Sequence, residues 1–160
     1  MSINHISHKA FLKFANDEIF KQIVQAYKDS YNYDLSHMKL QLSDTPTYNN
    51  GKPADIPVEQ WGGNWVRDGR VLLNKNLKPV AKHYKFKGSI DDLKKQLLAH
   101  ELAHEIEMKL ADKTFKKQIL DTAHKQKFTT EYLDTLDKSN KDNFNKELFC
   151  EYLAKSLLNK

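Results

Sequence analysis

Two histidines one helical turn apart are the residues of this chain whose types and spacing best suit chemistry. They are the first and last residues of the segment His100-Glu101-Leu102-Ala103-His104. Side chains four residues apart lie on the same face of an α-helix. Two neutral imidazoles placed in this way can bind one Zn²⁺, while the intervening glutamate reaches a water molecule held by the metal. The spacing therefore predicts two metal ligands, His100 and His104, and a general base, Glu101, for hydrolysis of a peptide bond.

The residues around this segment are mostly apolar, which indicates that the helix packs in a core. They are Leu97, Leu98, Ala99, Leu102, Ala103 and Ile106. Burying two imidazoles among them costs free energy unless each ring finds a partner. A bound metal supplies that partner. The alternative is one buried histidine satisfied by a protein group and one solvated histidine, with no metal.

A catalytic zinc site needs a third protein ligand and an open position for water. The sequence offers four candidates: His124, Glu131, Glu147 and Glu151. We favour Glu147, because the last helix carries an apolar face that must dock against the core, and carboxylates beside a buried face need a partner. Glu151, one turn further on, can accept a hydrogen bond from the outer nitrogen of a ligand histidine. The alternative is that both glutamates edge the apolar face and point to water.

The motif at 100–104, followed downstream by Glu147 and Glu151, resembles that of the gluzincin metallopeptidases, the clan of thermolysin. In that clan a second helix carries the third ligand, often in a Glu-x-x-x-Asp arrangement, and here Glu151 replaces the aspartate. Residues 147–158 also look like the ligand helix of the ImmA/IrrE-type peptidases. The resemblance covers roughly residues 61–158.

The resemblance implies a minimal catalytic domain with a zincin-like α+β fold and one Zn²⁺ per chain. It assigns His100, His104 and Glu147 to the metal and Glu151 to the support of a ligand. It also implies that a hairpin before the motif helix supplies the sheet edge that receives an extended peptide. By position, Asn64 and Trp65 fall on that strand and are the expected substrate-binding residues.

The pattern of the chain predicts the elements that position these residues within a single domain, residues 1–160. Residues 1–34 are expected to be helical, with Asn16 as a helix cap, and residues 38–75 to form a small, mostly antiparallel sheet. In that sheet, Asp68-Gly69 predicts a type I′ turn between strands 63–66 and 70–74. The motif helix is expected over 89–108, capped by Ser89. A polar turn over 139–145 and a ligand helix over 144–158 complete the prediction.

Peptide hydrolysis also needs a group that stabilises the developing oxyanion. Tyr152, Tyr132 and His124 are candidate donors, and we name Tyr152, although no spacing singles out any of the three. The alternative is that each is a half-buried amphipathic residue. Cys150 adjoins the same helix positions, and we interpret it as a small buried thiol rather than a nucleophile.

Composition narrows the remaining classes of function. The net charge is +5, but only two of the 26 basic residues are arginines, Arg67 and Arg70. Arginine is the usual reader of bases, so nucleic acid is an unlikely partner, and the expected partner is a peptide or protein substrate. No apolar run suits a membrane span, and no apolar signal segment is visible at the N-terminus. With a single cysteine, these features favour a cytoplasmic protein.

Two alternatives to a gluzincin-type peptidase follow from the same motif. One is a zinc-binding protein of the same fold that is catalytically silent or regulated by a partner, although such a protein does not require the base Glu101. The other is a DNA-associated peptidase that resembles the SprT-like proteins, which generally use a third histidine.

Overall fold

The computed structural model describes residues 14–160, which form an α+β fold. Six α-helices and three strands lie in this part of the chain. They are α1 (Glu18–Tyr31), β1 (Lys39–Ser43), β2 (Gly63–Val66), β3 (Arg70–Asn74), α2 (Leu77–His83), α3 (Ile90–Glu105), α4 (Lys113–Lys125), α5 (Glu131–Asp134) and α6 (Lys141–Leu158). A 3₁₀ turn, Val58–Gln60, precedes β2, and a π-helical segment, Ile106–Leu110, follows α3. None of the helices in residues 14–160 is both long and apolar enough to cross a lipid bilayer.

Helix α1 is the described part of the predicted N-terminal helical region, whose first 13 residues lie outside the described residues. Its cap is Asp17, one residue after the predicted Asn16, because the Asp17 carboxylate accepts a hydrogen bond from the backbone N–H of Phe20 at 2.8 Å. The buried hydroxyl of Tyr27 donates to the carbonyl of Ala99 at 2.6 Å. This bond ties α1 to α3.

The sheet is mixed, with the strand order β1-β3-β2. Strands β2 and β3 are antiparallel, but β1 and β3 are parallel, so the prediction of a mostly antiparallel sheet is wrong. The irregular segment 44–62 gives the chain enough length to return before β2, which brings β3 alongside β1 in the same direction. The central position of β3 explains why residues 71–74 are all buried.

The predicted hairpin is confirmed in its bounds, but its turn is of another type. The N–H of Gly69 bonds to the carbonyl of Val66 at 3.1 Å, and Val66 pairs with Arg70. The loop therefore has three residues and ends in a left-handed glycine, Gly69, with φ of +98°. Asp68 is not among the residues with positive φ, as a type I′ turn would require.

The two helices that carry the predicted ligands, α3 and α6, pack together in the core. Ser89 and Asp92 form a capping box at the start of α3. Helix α6 begins at Lys141, three residues before the predicted start, because the Asn140 side chain accepts a bond from the N–H of Asn143 at 3.2 Å. The main cluster of buried residues joins Leu98, Ala99, Leu102 and Ala103 of α3 to Phe149, Leu153 and Ala154 of α6 and to Val71 and Leu73 of the sheet.

Candidate metal centre

Helices α3 and α6 bring together two imidazoles and one carboxylate, those of His100, His104 and Glu147. We call these three residues the ligand cluster. One ligand atom from each lies within 4.8 Å of the others. Nε2 of His100 is 2.9 Å from Oε1 of Glu147, and Nε2 of His104 is 3.3 Å from Oε2 of the same carboxylate. Both imidazoles therefore present the same kind of nitrogen to one carboxylate.

A second carboxylate, that of Glu151, fixes the ring of His100 from behind. Nδ1 of His100 lies 3.3 Å from Oε1 of Glu151, and the hydroxyl of Thr130 donates to Oε2 of Glu151 at 2.8 Å. A hydrogen bond at Nδ1 leaves Nε2 as the nitrogen that faces the ligand cluster. Glu151 is only 8% exposed, so this pair of contacts also satisfies a buried charge.

The charges of the cluster stabilise one another in the absence of a metal. Burial alone favours the neutral ring of His100, but the hydrogen bonds that the ring donates to Glu147 and Glu151 outweigh it and raise its pKa to about 10. Burial also opposes ionisation of Glu147, but the hydrogen bonds from His100 and His104 hold its pKa well below the usual range. The metal-free cluster therefore holds a proton on His100 at neutral pH.

Glu101 lies between the two histidines in sequence but stands outside the ligand cluster. Its Oε1 accepts a hydrogen bond from the backbone N–H of Trp65 at 3.0 Å. Burial raises the pKa of the Glu101 carboxyl, although the nearby His100 and His104 oppose that rise. A carboxylate with a raised pKa, held apart from the metal ligands, suits a general base.

The backbone of β2 supplies the contact with Glu101 because β2 lies at the edge of the sheet. The N–H of Asn74 bonds to the carbonyl of Gly62, and the register pairs Asn64 with Leu72. In an antiparallel pair, residues whose backbone groups bond to the partner strand alternate with residues whose backbone groups point away from it. The backbone groups of residues 63 and 65 therefore point away from β3. The free edge of β2 therefore faces Glu101.

The two residues predicted to bind substrate, Asn64 and Trp65, have side chains occupied by the protein itself. The Asn64 Oδ1 accepts from the hydroxyl of Thr47 at 2.6 Å and from Nε1 of Trp61 at 3.0 Å, while its Nδ2 donates to the carbonyl of Tyr48 at 3.2 Å. Trp65 is 2% exposed. The backbone of Trp65 is occupied as well, since its N–H bonds to Glu101 and its carbonyl accepts from Nδ2 of Asn64 at 3.1 Å. The outward-facing backbone of Gly63 is therefore the part of this edge that is placed to meet a peptide.

Of the tyrosines considered as oxyanion donors, Tyr132 reaches the ligand cluster and Tyr152 does not. The Tyr132 hydroxyl donates to Oε1 of Glu147 at 2.8 Å, and its ring stands edge-on to that of His100 at 5.3 Å. The hydroxyl of Tyr152 instead donates to Gln126, at 3.1 Å. Burial and the charge of Glu147 raise the pKa of Tyr132, so its hydroxyl keeps its proton.

The remaining candidates lie outside the cluster. The group of possible ligands in residues 14–160 includes neither His124 nor Glu131. Cys150 is a free, fully buried thiol whose pKa is raised by burial, which confirms its prediction as a core residue. Thr130 contacts the site although the sequence did not predict it. The one sequence feature that marks it is a threonine directly before the acidic helix α5, where it acts as the cap.

The donor set fits a zinc ion. Two imidazole nitrogens and one carboxylate oxygen are the ligands of one type of catalytic zinc site, and three protein ligands leave a position for water. The acceptor behind His100 is the usual support for such a ligand. The chain matches none of the family models, curated proteins or solved structures with which it was compared.

Proposed function

We propose that the protein is a zinc-dependent metallopeptidase of the gluzincin type that hydrolyses peptide bonds. The observation that carries the proposal is the separation of roles in the site. His100, His104 and Glu147 converge on one point, while the carboxylate of Glu101 is held aside by the edge of the sheet. A site that only binds metal has no need of this additional carboxylate.

In this proposal, the ligand cluster would hold one Zn²⁺, and Glu151 would keep the ring of His100 in its binding orientation. The metal supplies Lewis acidity, which polarises the scissile carbonyl and lowers the pKa of an attacking water. Glu101 takes the proton from that water on its carboxylate and passes it to the nitrogen of the leaving amine. Its raised pKa suits the first transfer, since a carboxylate with a raised pKa is a stronger base.

The substrate in this proposal is an extended peptide that pairs with the free edge of β2 by backbone hydrogen bonds. Gly63 is the first residue of that edge whose backbone faces outward. Tyr132 is 43% exposed, and its hydroxyl, which adjoins Glu147, is the donor best placed for the oxyanion. Tyr132 thus replaces Tyr152 in the role that the sequence first suggested.

The character of the third ligand separates this proposal from a SprT-like, DNA-associated peptidase. Such proteins generally use a third histidine, and here the third group is the carboxylate of Glu147. His124 does not join the cluster within residues 14–160. The site therefore supports the gluzincin type.

Cleavage of a mixture of unstructured peptides by zinc-loaded protein, followed by mass spectrometry, tests the proposal. Glu101→Gln removes the base but none of the ligands, so we expect bound zinc to remain at one ion per chain. The rate should fall by about 10²- to 10⁴-fold, the range for loss of a general base. Zinc binding without cleavage by the unaltered protein would support the silent or partner-regulated alternative. Equal rates for the two proteins would contradict the role of Glu101.

A further inference from the structure

One buried carboxylate beside the site has no part in the proposed chemistry. Glu105 is 1% exposed and follows His104 in the chain. Its Oε1 accepts from Nε1 of Trp65 at 2.8 Å, and its Oε2 lies 2.7 Å from Nε2 of His37. Nζ of Lys109 is 3.3 Å from Oε1. Burying a carboxylate costs free energy unless it is paired and hydrogen-bonded, so Glu105 and these three partners depend on one another.

The partner of interest is Trp65, since it contacts two groups of the site at once. Its backbone N–H bonds to Oε1 of Glu101 at 3.0 Å. Its ring stacks on the imidazole of His104, with the centroids 5.9 Å apart and the planes 19° from parallel. A movement of Trp65 would therefore disturb a base and a ligand together.

The two histidines of the cluster differ in how their rings are supported. His100 has Glu151 at its Nδ1. Nδ1 of His104 has no hydrogen-bond partner among residues 14–160. Ligand histidines usually donate that second N–H to an acceptor, which fixes the ring. The support that the structure gives the His104 ring is instead the stacked indole of Trp65.

We infer that Trp65 is a positioning residue for both His104 and Glu101, and that Glu105 anchors it there. The inference rests on the proposed function and adds to it a group that holds His104 and Glu101 in place. The bond to Nε1 fixes the rotation of the indole about its side-chain bonds. Lys109 adds a further contact, with Nζ 5.9 Å from the centre of the Trp65 ring and 2.7 Å from the carbonyl of Arg67.

The chain offers a matched control for Glu105 in Glu107. Glu107 is 8% exposed and lies in the π-helical segment after α3. It pairs with Lys116 at 3.4 Å and makes no hydrogen bond or ion pair with Trp65 in the described part of the chain. Glu105→Ala and Glu107→Ala each remove a buried carboxylate, so a general loss of stability affects both variants.

The first measurement is Co²⁺ affinity, followed by the visible absorption of the bound ion. We expect Glu105→Ala to weaken Co²⁺ binding by about 10-fold, the lower end of the range for loss of a group that supports a ligand. Glu105→Gln keeps an acceptor for Nε1 of Trp65 and should restore most of the affinity. Glu107→Ala should bind Co²⁺ as the unaltered protein does.

The second measurement needs no metal. In the NMR spectrum of the metal-free protein, the ring protons of His104 sense the stacked indole. Their chemical shifts should change in Glu105→Ala and in Trp65→Leu but not in Glu107→Ala. Unchanged shifts and unchanged Co²⁺ affinity in Glu105→Ala would overturn the inference. Failure of the unaltered protein to bind any metal would instead refute the proposed function, and the NMR comparison would still decide whether Glu105 anchors Trp65.

Discussion

At the scale of single residues, the proposed metal has to compete with a proton for the ligand cluster. Folded His100 has a pKa of about 10, against 6.5 for an ordinary histidine. In the metal-free protein the ring is therefore charged at pH 7, and it must lose a proton before Nε2 can bind zinc. The contacts that raise this pKa stabilise the protonated ring in the folded state. His100 therefore contributes its full stabilisation below pH 6.5 and loses it as the pH rises towards 10.

The resulting prediction concerns proton release. Zinc binding at pH 7 should release a proton from His100, and zinc affinity should rise with pH between about 6 and 8 as that proton becomes easier to remove. Titration calorimetry in buffers of different ionisation enthalpy measures the number of protons released. Zinc binding at pH 7 without proton release would contradict the pKa assigned to His100.

Replacement of each glutamate of α6 separates ligand from support. Glu147→Ala removes one of three ligands, so we expect stoichiometric zinc binding to be lost. Glu151→Gln leaves the ligands intact but weakens the contact with Nδ1 of His100, and should lower zinc affinity by about 10- to 100-fold. Competition with a coloured chelator measures both affinities. Equal losses in the two variants would argue that Glu147 is not a ligand.

At the scale of elements, local signals account for what the sequence predicts well. Asp68-Gly69 marks the hairpin, and Ser89 with Asp92 marks the start of α3. The spacing of His100 and His104 then predicts which face of that helix carries the candidate site. The parallel pairing of β1 with β3 depends on contacts distant in sequence, and no local pattern predicts it.

The short helix α5 shows the same limit within the site. Its four residues are too few for an apolar period to identify a helix. The sequence therefore gives no sign that Thr130 contacts Glu151, and no spacing that favours Tyr132 over Tyr152 as the oxyanion donor. The position of α5 against α6 distinguishes the two tyrosines, because it brings the hydroxyl of Tyr132 to Glu147 while that of Tyr152 bonds to Gln126.

Close packing of β2 against β3 gives a prediction at the element scale. A Cβ added to Gly63 would lie 2.4 Å from the carbonyl oxygen of Leu72, a backbone atom that cannot move aside alone. Gly63→Ala should therefore destabilise the protein by about 1–3 kcal/mol, as overpacking does. Urea denaturation measures the free energy of unfolding, and a change below about 0.5 kcal/mol would show that the strands separate at little cost.

At the scale of the whole molecule, the proposed metal joins two distant parts of the chain. His100 and His104 lie on α3 and Glu147 on α6, so zinc would bind the folded protein and not the unfolded chain. A ligand of this kind stabilises the fold by about 2.7 kcal/mol at 100 times its Kd. We expect EDTA to lower the melting temperature of zinc-loaded protein and excess zinc to restore it. The melting temperature of Glu147→Ala should respond to neither, and an equal response in that variant would place the zinc elsewhere.

The central claim is that one zinc ion is held jointly by two imidazoles of α3 and a carboxylate of α6. The most direct test is an anomalous difference map from crystals of zinc-loaded protein, recorded on both sides of the zinc absorption edge. We predict one strong peak per chain within bonding distance, about 2.0–2.2 Å, of Nε2 of His100, Nε2 of His104 and a carboxylate oxygen of Glu147. A peak bound by other residues, or no peak in crystals grown with zinc, would contradict the account.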